Sequence, residues 1–531
     1  MTNKTRNIVI TALAVCFIGG AIFLFIAKPA QLFNKSSDAA KKSVSSSIEK
    51  PTISLKASLP IQISIHEGHG HIVEGYKASE NPDKVIIHIQ DIHTNYEAQK
   101  NEANIIEALI KEKGLKLIMV EGGWGDVSLS YLRTQADKER RVEVAEEYLK
   151  EGKISGEEYL NIVSDYDMDL QGIEEEALYR KNLDIFFKIE SFREEGSKEI
   201  AQLNSVVNAL KQQAYPSTLL DLEKARADYD EENTSLLEYY DYLGKAAKQA
   251  QVNTAGLSTF ESFMKVAAAE KTIDFAKVEK QRAALIEKLS KALAKEKLTP
   301  LVAKSLEFRL NKITPAEYHL YLKQTAEEAG AGFKDYAELS VYIEYIKSHE
   351  EINTNILFKE ADLLEEQVEE ALAKTEEQKK LRTLTEVLKI LDNFLNLKLI
   401  PEDFKYYKEH SLEFVISSWI PFLKDSIIKY KVKEVLPADV SVLDSNLSAL
   451  TEFYDVANQR DDIFVEKALS LMDAKQQKIA VLIAGGFHTP SLTKKLKDRN
   501  ISYIVIAPKT TQKTDPDQYR YILEYKSGKT E

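Results

Sequence analysis

The sequence predicts an α/β protein whose core is split by a long all-helical insertion and preceded by a transmembrane helix. Three observations carry that expectation. Short, nearly continuous apolar runs recur near both ends of the chain, at 85–89, 116–120, 170–173, 478–483 and 502–507, as strands buried on both faces should. Between them, residues 333–400 contain neither Gly nor Pro and carry apolar residues at 3–4 spacing. At the start, residues 8–27 form an unbroken apolar run long enough to cross a bilayer.

The N-terminal run follows Lys4 and Arg6, as in a signal anchor. No small-x-small cleavage site follows it; Val15 is too bulky for a lipoprotein-type site at Cys16, and the run continues past that cysteine. We therefore expect residues 1–33 to be an uncleaved anchor, placing the protein in the cell membrane as a single-pass protein with its body outside the cytoplasm. Lys28, Lys35, Lys41 and Lys42 beyond the run compete with Lys4 and Arg6 in setting that orientation. Cys16 is the sole cysteine, so intrachain disulfides are excluded. Residues 34–59 begin with a Ser/Lys-rich, non-periodic stretch and read as a solvated linker.

The chain has 531 residues, 44% of them apolar, and a net charge of −13. A sizeable core is affordable, and nucleic acid is not expected as a partner. The core is expected in two parts, 60–185 and 450–525, separated by a helical insertion at 186–449. Within the insertion Leu357, Ala361, Leu364, Val368 and Ala371 form one stripe, and Leu381, Leu384, Leu388, Leu391 and Leu395 another. The charged segment from Thr375 to Lys380 breaks the register, so a stutter or a helix-helix turn belongs there. Antiparallel helices packing on themselves account for this region, which also offers a surface to a protein partner.

The strand ends raise the functional question. "VIIHIQDIHTNYEAQ" runs from a buried strand straight into Asp91 and His93. Thr94 and Glu97 then have the form of a capping box opening a helix. "LIMVEGGWGD" places Glu121 at the next strand exit, followed by two glycines and by Asp126 as an N-cap. "LQGIEEE" places Glu174 after a short strand. "AVLIAGGFHTP" ends a strand at Ile483, turns through Gly485 and Gly486, and sets His488 before Thr489 and Pro490 as N-cap and N1. In open α/β sheets ligands bind at the carboxyl ends of parallel strands. His93, Glu121 and His488 therefore converge if their strands are parallel and adjacent. Asp91, Gly122, Gly485, Gly486 and Glu174 would line the same end, the glycine N–H groups facing an anion or oxyanion.

"IHIQDIHTNYEAQ", "VEGG", "GIE", "NQRDD" and "AGGFHT…LKDRNISYIVI" together resemble the erythromycin esterase/ChaN-like superfamily, which includes the TraB and Tiki proteins. The resemblance covers both α/β parts and not the helical middle. It implies an EreA/ChaN-like core, and motif by motif it marks His93, Glu121, Arg460 and His488. Gln-Asp-Ile precedes the histidine here, where members usually carry a glycine-led version. The family includes metallopeptidases, an esterase and a haem binder. The implied function is a membrane-anchored hydrolase of peptide or ester bonds, taking a peptide or small-molecule substrate. His93, Glu121 and His488 would hold a divalent metal (Mn, Co or Zn) or share acid/base work, and Arg460 would bind the substrate's negative charge. The alternatives are a haem- or other ligand-binding module without turnover and a helical scaffold.

"HEGHGH" (His66, Glu67, His69, His71) is the densest metal-like group. In an extended chain His66 points away from His69 and His71, and no further His or Cys is near enough to complete a closed zinc site, so it reads as an exposed strand entry. His88 lies inside a strand and reads as a satisfied core or pocket-wall residue.

Overall fold

A computed structural model describes residues 59–309, 313–511 and 515–526. The expected anchor and most of the linker lie outside these residues. Among the described residues no helix is long and apolar enough to cross a membrane. The protein is mixed α/β, with most of its ordered chain helical and one seven-stranded sheet.

The sheet comprises β1 (Gly70–Tyr76), β2 (Val85–Asp91), β3 (Leu117–Val120), β4 (Trp124–Asp126), β5 (Asp169–Ile173), β6 (Ile479–Gly485) and β7 (Ser502–Pro508), in the order β1-β7-β2-β6-β3-β5-β4. Strands β7, β2, β6, β3 and β5 are parallel, and β1 and β4 close the edges antiparallel. The parallel strands are apolar on both faces because both are covered. On one face Ile87, Ile89, Ile118, Val120, Val481 and Ile483 pack with Ile105, Ile106 and Leu109 of α1 (Tyr96–Lys113). The helices α2 (Lys138–Lys150) and α3 (Gly156–Val163) add Leu149 and Leu160 to that layer.

The sheet stays with two long flanking helices. The first, α4 (Glu176–Ala214), follows β5, and the chain then enters a separate compact unit, Pro216–Lys374. That unit is built of α5 (Ser217–Asp230), α6 (Leu236–Gln249), α7 (Ser258–Glu270), α8 (Phe275–Ala292), α9 (Lys295–Arg309), α10 (Pro315–Glu328), α11 (Ala337–Glu350) and α12 (Thr354–Leu372). Its own core includes Tyr240, Phe263, Leu285, Leu339, Leu364 and Val368. Every α-helix or strand described between residues 186 and 449 is a helix, but the compact unit is shorter than that span. The break expected after the first leucine stripe is a helix end at Leu372. A new N-cap follows at Thr375, boxed with Gln378, and starts α13 (Glu376–Leu395). Then come α14 (Pro401–Glu409), α15 (Ile420–Tyr430) and α16 (Ser441–Ala474), which return the chain to the sheet. Phe464, Val465, Ala468 and Met472 of α16 cover the second face, against Ile86, Leu117, Met119 and Leu482. Leu492 and Leu496 of α17 (Thr489–Asp498) complete that layer, and α18 (Pro516–Lys526) follows β7.

The connections fix where a ligand can enter. The chain leaves β2 through α1 on one face, toward β3, and leaves β6 through α17 on the other, toward β7. Opposite directions of travel place right-handed crossovers on opposite faces. The crevice between the carboxyl ends of β2 and β6 is therefore a topological switch point.

Several local expectations change. Asn95, not Thr94, caps α1, its side chain accepting from the Ala98 N–H at 3.0 Å, while Thr94 takes a left-handed φ of 58°. Glu97 instead accepts from the Thr511 N–H at 2.6 Å, tying down the chain after β7. Asp126 ends β4 and accepts from the Ser128 N–H at 2.9 Å as an Asx turn; it caps no helix. His488 precedes α17 as its cap position, so Thr489 is already the first helical residue. In "HEGHGH" the strand begins at Gly70, after a turn that brings the His66 and His69 rings to 5.1 Å.

Gly172 lets the loop after β3 lie on β5. A Cβ there would fall 2.1 Å from the Gly123 carbonyl carbon and 2.2 Å from the Trp124 nitrogen, both backbone atoms that cannot swing aside. Gly172→Ala should therefore lower the unfolding free energy by about 2–3 kcal/mol in chemical denaturation. A change within error would show that the loop is not held against the strand.

Candidate active site

Asp91 is the last residue of β2 and is buried, whereas His93 emerges at the rim with its side chain 33% exposed. The left-handed Thr94 between strand and cap produces this turn, a conformation that costs a β-branched residue about 1–2 kcal/mol and so must be held by its surroundings. His93 Nδ1 lies 2.5 Å from Asp91 Oδ2. The other Asp91 oxygen accepts from Gln99 Nε2 of α1 at 2.5 Å, which fixes the carboxylate plane. Tyr519 of α18 stacks parallel to the imidazole, with centroids 5.9 Å apart.

Beneath the rim lies a buried ion network. Arg460 of α16, 2% exposed, donates Nη2 to Glu121 Oε1 at 2.9 Å and Nη1 to Asn182 Oδ1 of α4 at 2.7 Å. It clasps Glu174 through both Nε, at 3.2 Å from Oε2, and Nη2. Tyr179 and Phe464 lie against its guanidinium, each 5.5 Å from the ring centroid. The next residue, Asp461, holds His488 Nδ1 at 2.5 Å, and His488 Nε2 faces Glu121 Oε1 at 3.2 Å. Glu121 Oε2 accepts from the Gly485 N–H at 2.7 Å. The exits of β3, β5 and β6 are thus joined by side chains of two helices.

Burial alone would push the Glu121 carboxyl up, but His488, Arg460 and His93 together hold it well below the usual carboxylate range. Burial likewise opposes charge on His488, yet Glu121 and Asp461 outweigh it and raise the imidazole to about 9. His488 is therefore an imidazolium at neutral pH. His88 is the opposite case: burial depresses it to about 4. Neutral His88 donates Nδ1–H to the Leu482 carbonyl at 3.1 Å and accepts at Nε2 from the Thr489 hydroxyl at 2.8 Å.

The strand-exit residues accordingly divide. Glu121, Glu174, Arg460 and His488 come together, buried. His93 and Asp91 occupy the rim above them, close enough for His93 to act on the Glu121 charge. Arg460 and Glu174 pair with each other and are buried, so they form the floor beneath the rim. The Gly485 N–H is taken by Glu121, and the Gly122 N–H points to Glu174 Oε1 at 3.4 Å, so neither faces an incoming anion. Gly486 is buried in the turn before His488. Asp461, Asn182 and Gln99 were not foreseen; the one signal in the sequence was Asp461 following Arg460 in "NQRDD".

A divalent metal does not fit this donor set. The Arg460 guanidinium and the His488 ring share one Glu121 oxygen, so a cation bound there would lie against the buried guanidinium. Among the described residues no group of three or more His, Cys, Asp or Glu is arranged to hold a metal, the "HEGHGH" segment included. The buried groups around His488 are charged and paired, unlike the apolar slot that a haem requires. No family model, no curated protein and no solved structure matches the chain.

His488 sets a pH dependence. Its folded-state value lies above the ordinary 6.5, so its charge stabilises the fold fully below about pH 6.5 and the contribution fades as pH rises through about 9. The shift corresponds to about 3 kcal/mol. Chemical denaturation across that window should show wild type losing stability of this order while His488→Gln shows a much flatter dependence. Parallel curves for the two proteins would contradict the assignment.

Proposed function

We propose that the protein is a hydrolase of peptide or ester bonds in which imidazole, not a metal, activates water. The observation that carries this reading is the Asp91–His93 pair at the switch-point crevice, with the imidazole reaching solvent and the carboxylate buried behind it. A carboxylate on Nδ1 fixes the tautomer that leaves Nε2 basic and stabilises the imidazolium once it forms. His93 Nε2 takes a proton from water, the resulting hydroxide adds to the substrate carbonyl, and the imidazolium returns the proton to the departing amine or alkoxide. The resemblance to the erythromycin esterase/ChaN-like superfamily supports the reaction class, and its split EreA/ChaN-like core is the finer reading of the fold we adopt. The apolar run at 8–27 would hold this activity at the cell membrane, with the body outside the cytoplasm.

The test is a panel of chromogenic esters and peptides, assayed with and without exhaustive chelation. Turnover should survive chelation and fall by roughly two to four orders of magnitude in His93→Ala. Turnover abolished by chelation and restored by Mn²⁺, Co²⁺ or Zn²⁺ would overturn the imidazole mechanism in favour of the metal one. Unchanged turnover in His93→Ala would remove His93 from the chemistry.

A further inference from the structure

Behind the Asp91–His93 pair, on the side away from solvent, two more acids are buried with no cation paired to them among the described residues. Glu102 lies one turn beyond Gln99 on α1 and is fully buried, and Glu157, in the first turn of α3, is 5% exposed. Gly156 lets these helices meet: a Cβ there would lie 2.3 Å from the Gln99 carbonyl oxygen and 3.1 Å from Glu102 Oε1. The Gly156 N–H donates to Gln99 Oε1 at 2.6 Å, so Gln99 joins Asp91 on one side to the start of α3 on the other. The Ser155 hydroxyl donates to Glu157 Oε1 at 2.5 Å. Both Glu102 oxygens and Glu157 Oε2 are buried and, among the described residues, no side-chain donor reaches them; the other groups against Glu102 are the Glu157 backbone N–H and the Glu157 carboxyl.

The groups that face this pair are acids: Asp91 from β2 and Glu158 from α3. Lys100, the nearest cation along α1, is held by Glu146 of α2 at 2.5 Å and by the Tyr159 hydroxyl at 2.7 Å. Two carboxylates so placed cannot both be ionised, because burial and mutual repulsion both favour the neutral form. One proton between them removes the repulsion and supplies the missing hydrogen bond.

We propose that Glu102 and Glu157 share a single proton as a buried acid pair and act as positioning residues for Asp91 and His93. Burial followed by the neighbouring acids lifts Glu102 well above the ordinary carboxyl range, and burial lifts Glu157 to about 7. The pair then carries one negative charge behind Asp91, which favours the protonated form of His93. The acid pair stands on its own geometry, and only its service to catalysis rests on the proposed hydrolase reading. Its test therefore uses no substrate, and failure of one does not imitate failure of the other.

Difference infrared spectroscopy of the wild-type protein at neutral pH should show the carbonyl stretch of a buried protonated carboxylic acid, absent in Glu102→Gln. That variant keeps the charge and offers an amide N–H in place of the acid O–H, so its melting temperature should match wild type while Glu102→Ala melts lower. The double variant Glu102→Gln/Glu157→Gln removes the negative charge. The His93 ring, followed by NMR, should then titrate lower by roughly half a unit to one unit. No acid band in wild type, or stability lost on chelation as a bound cation would require, overturns the shared proton. A His93 titration unmoved in the double variant overturns the positioning role.

Discussion

The guanidinium of Arg460 is the constraint on which the rest of the site depends. An arginine this deeply buried is tolerable only if its charge and its donors are met. Here Glu174, Glu121 and Asn182 meet them from three separate segments, the exits of β5 and β3 and the start of α4. Losing either carboxylate leaves charge uncompensated away from water, and losing Asn182 leaves a buried guanidinium N–H without its acceptor. The sheet supplies the parallel exits; Arg460 requires them to converge. Its neighbour Asp461 extends the requirement to His488, which returns to Glu121 and closes the circuit between β6 and β3.

That circuit separates two kinds of polar residue that look alike in a sequence. The buried acids and bases stabilise one another and take up the backbone N–H groups of the glycine turns, so they have little capacity left for a ligand. The Asp91–His93 pair stands above them with one partner buried and the other reaching solvent, an arrangement suited to moving a proton at the surface of a fixed floor. Gln99 connects this pair to the acids behind it, so three layers of charge, from the rim to the α1–α3 interface, are linked by hydrogen bonds or by direct repulsion.

Much of this was legible in the chain. The parallel strands announce themselves because burial on both faces demands continuous apolar runs, and their abrupt polar endings mark the carboxyl edge of the sheet. The break at Thr375 is readable because a charged segment interrupts the leucine stripe, though the sequence leaves a stutter and a turn equally open. The edge strand β4 was hidden, being only three residues long with one neighbour, and of β1 only the entry at "HEGHGH" was read. The choice between Thr94 and Asn95 as cap could not be made locally, since both cap well and the left-handed Thr94 is set by tertiary packing. Asp461 and Gln99 acquire their meaning from partners far along the chain, His488 at 27 residues and Gly156 at 57. Spacing within one element cannot reveal such pairs. Arg460 was marked through the family resemblance, and the structure places it buried, facing Glu174, Glu121 and Asn182.

The most direct test of this account replaces Arg460 by methionine, which keeps much of the length of the side chain and removes the charge. Unfolding free energy measured by chemical denaturation at neutral pH should fall by about 3–5 kcal/mol, the cost of leaving Glu174 and Glu121 buried without their cation. An Arg460→Met protein as stable as wild type would show that the strand exits are held together by something else.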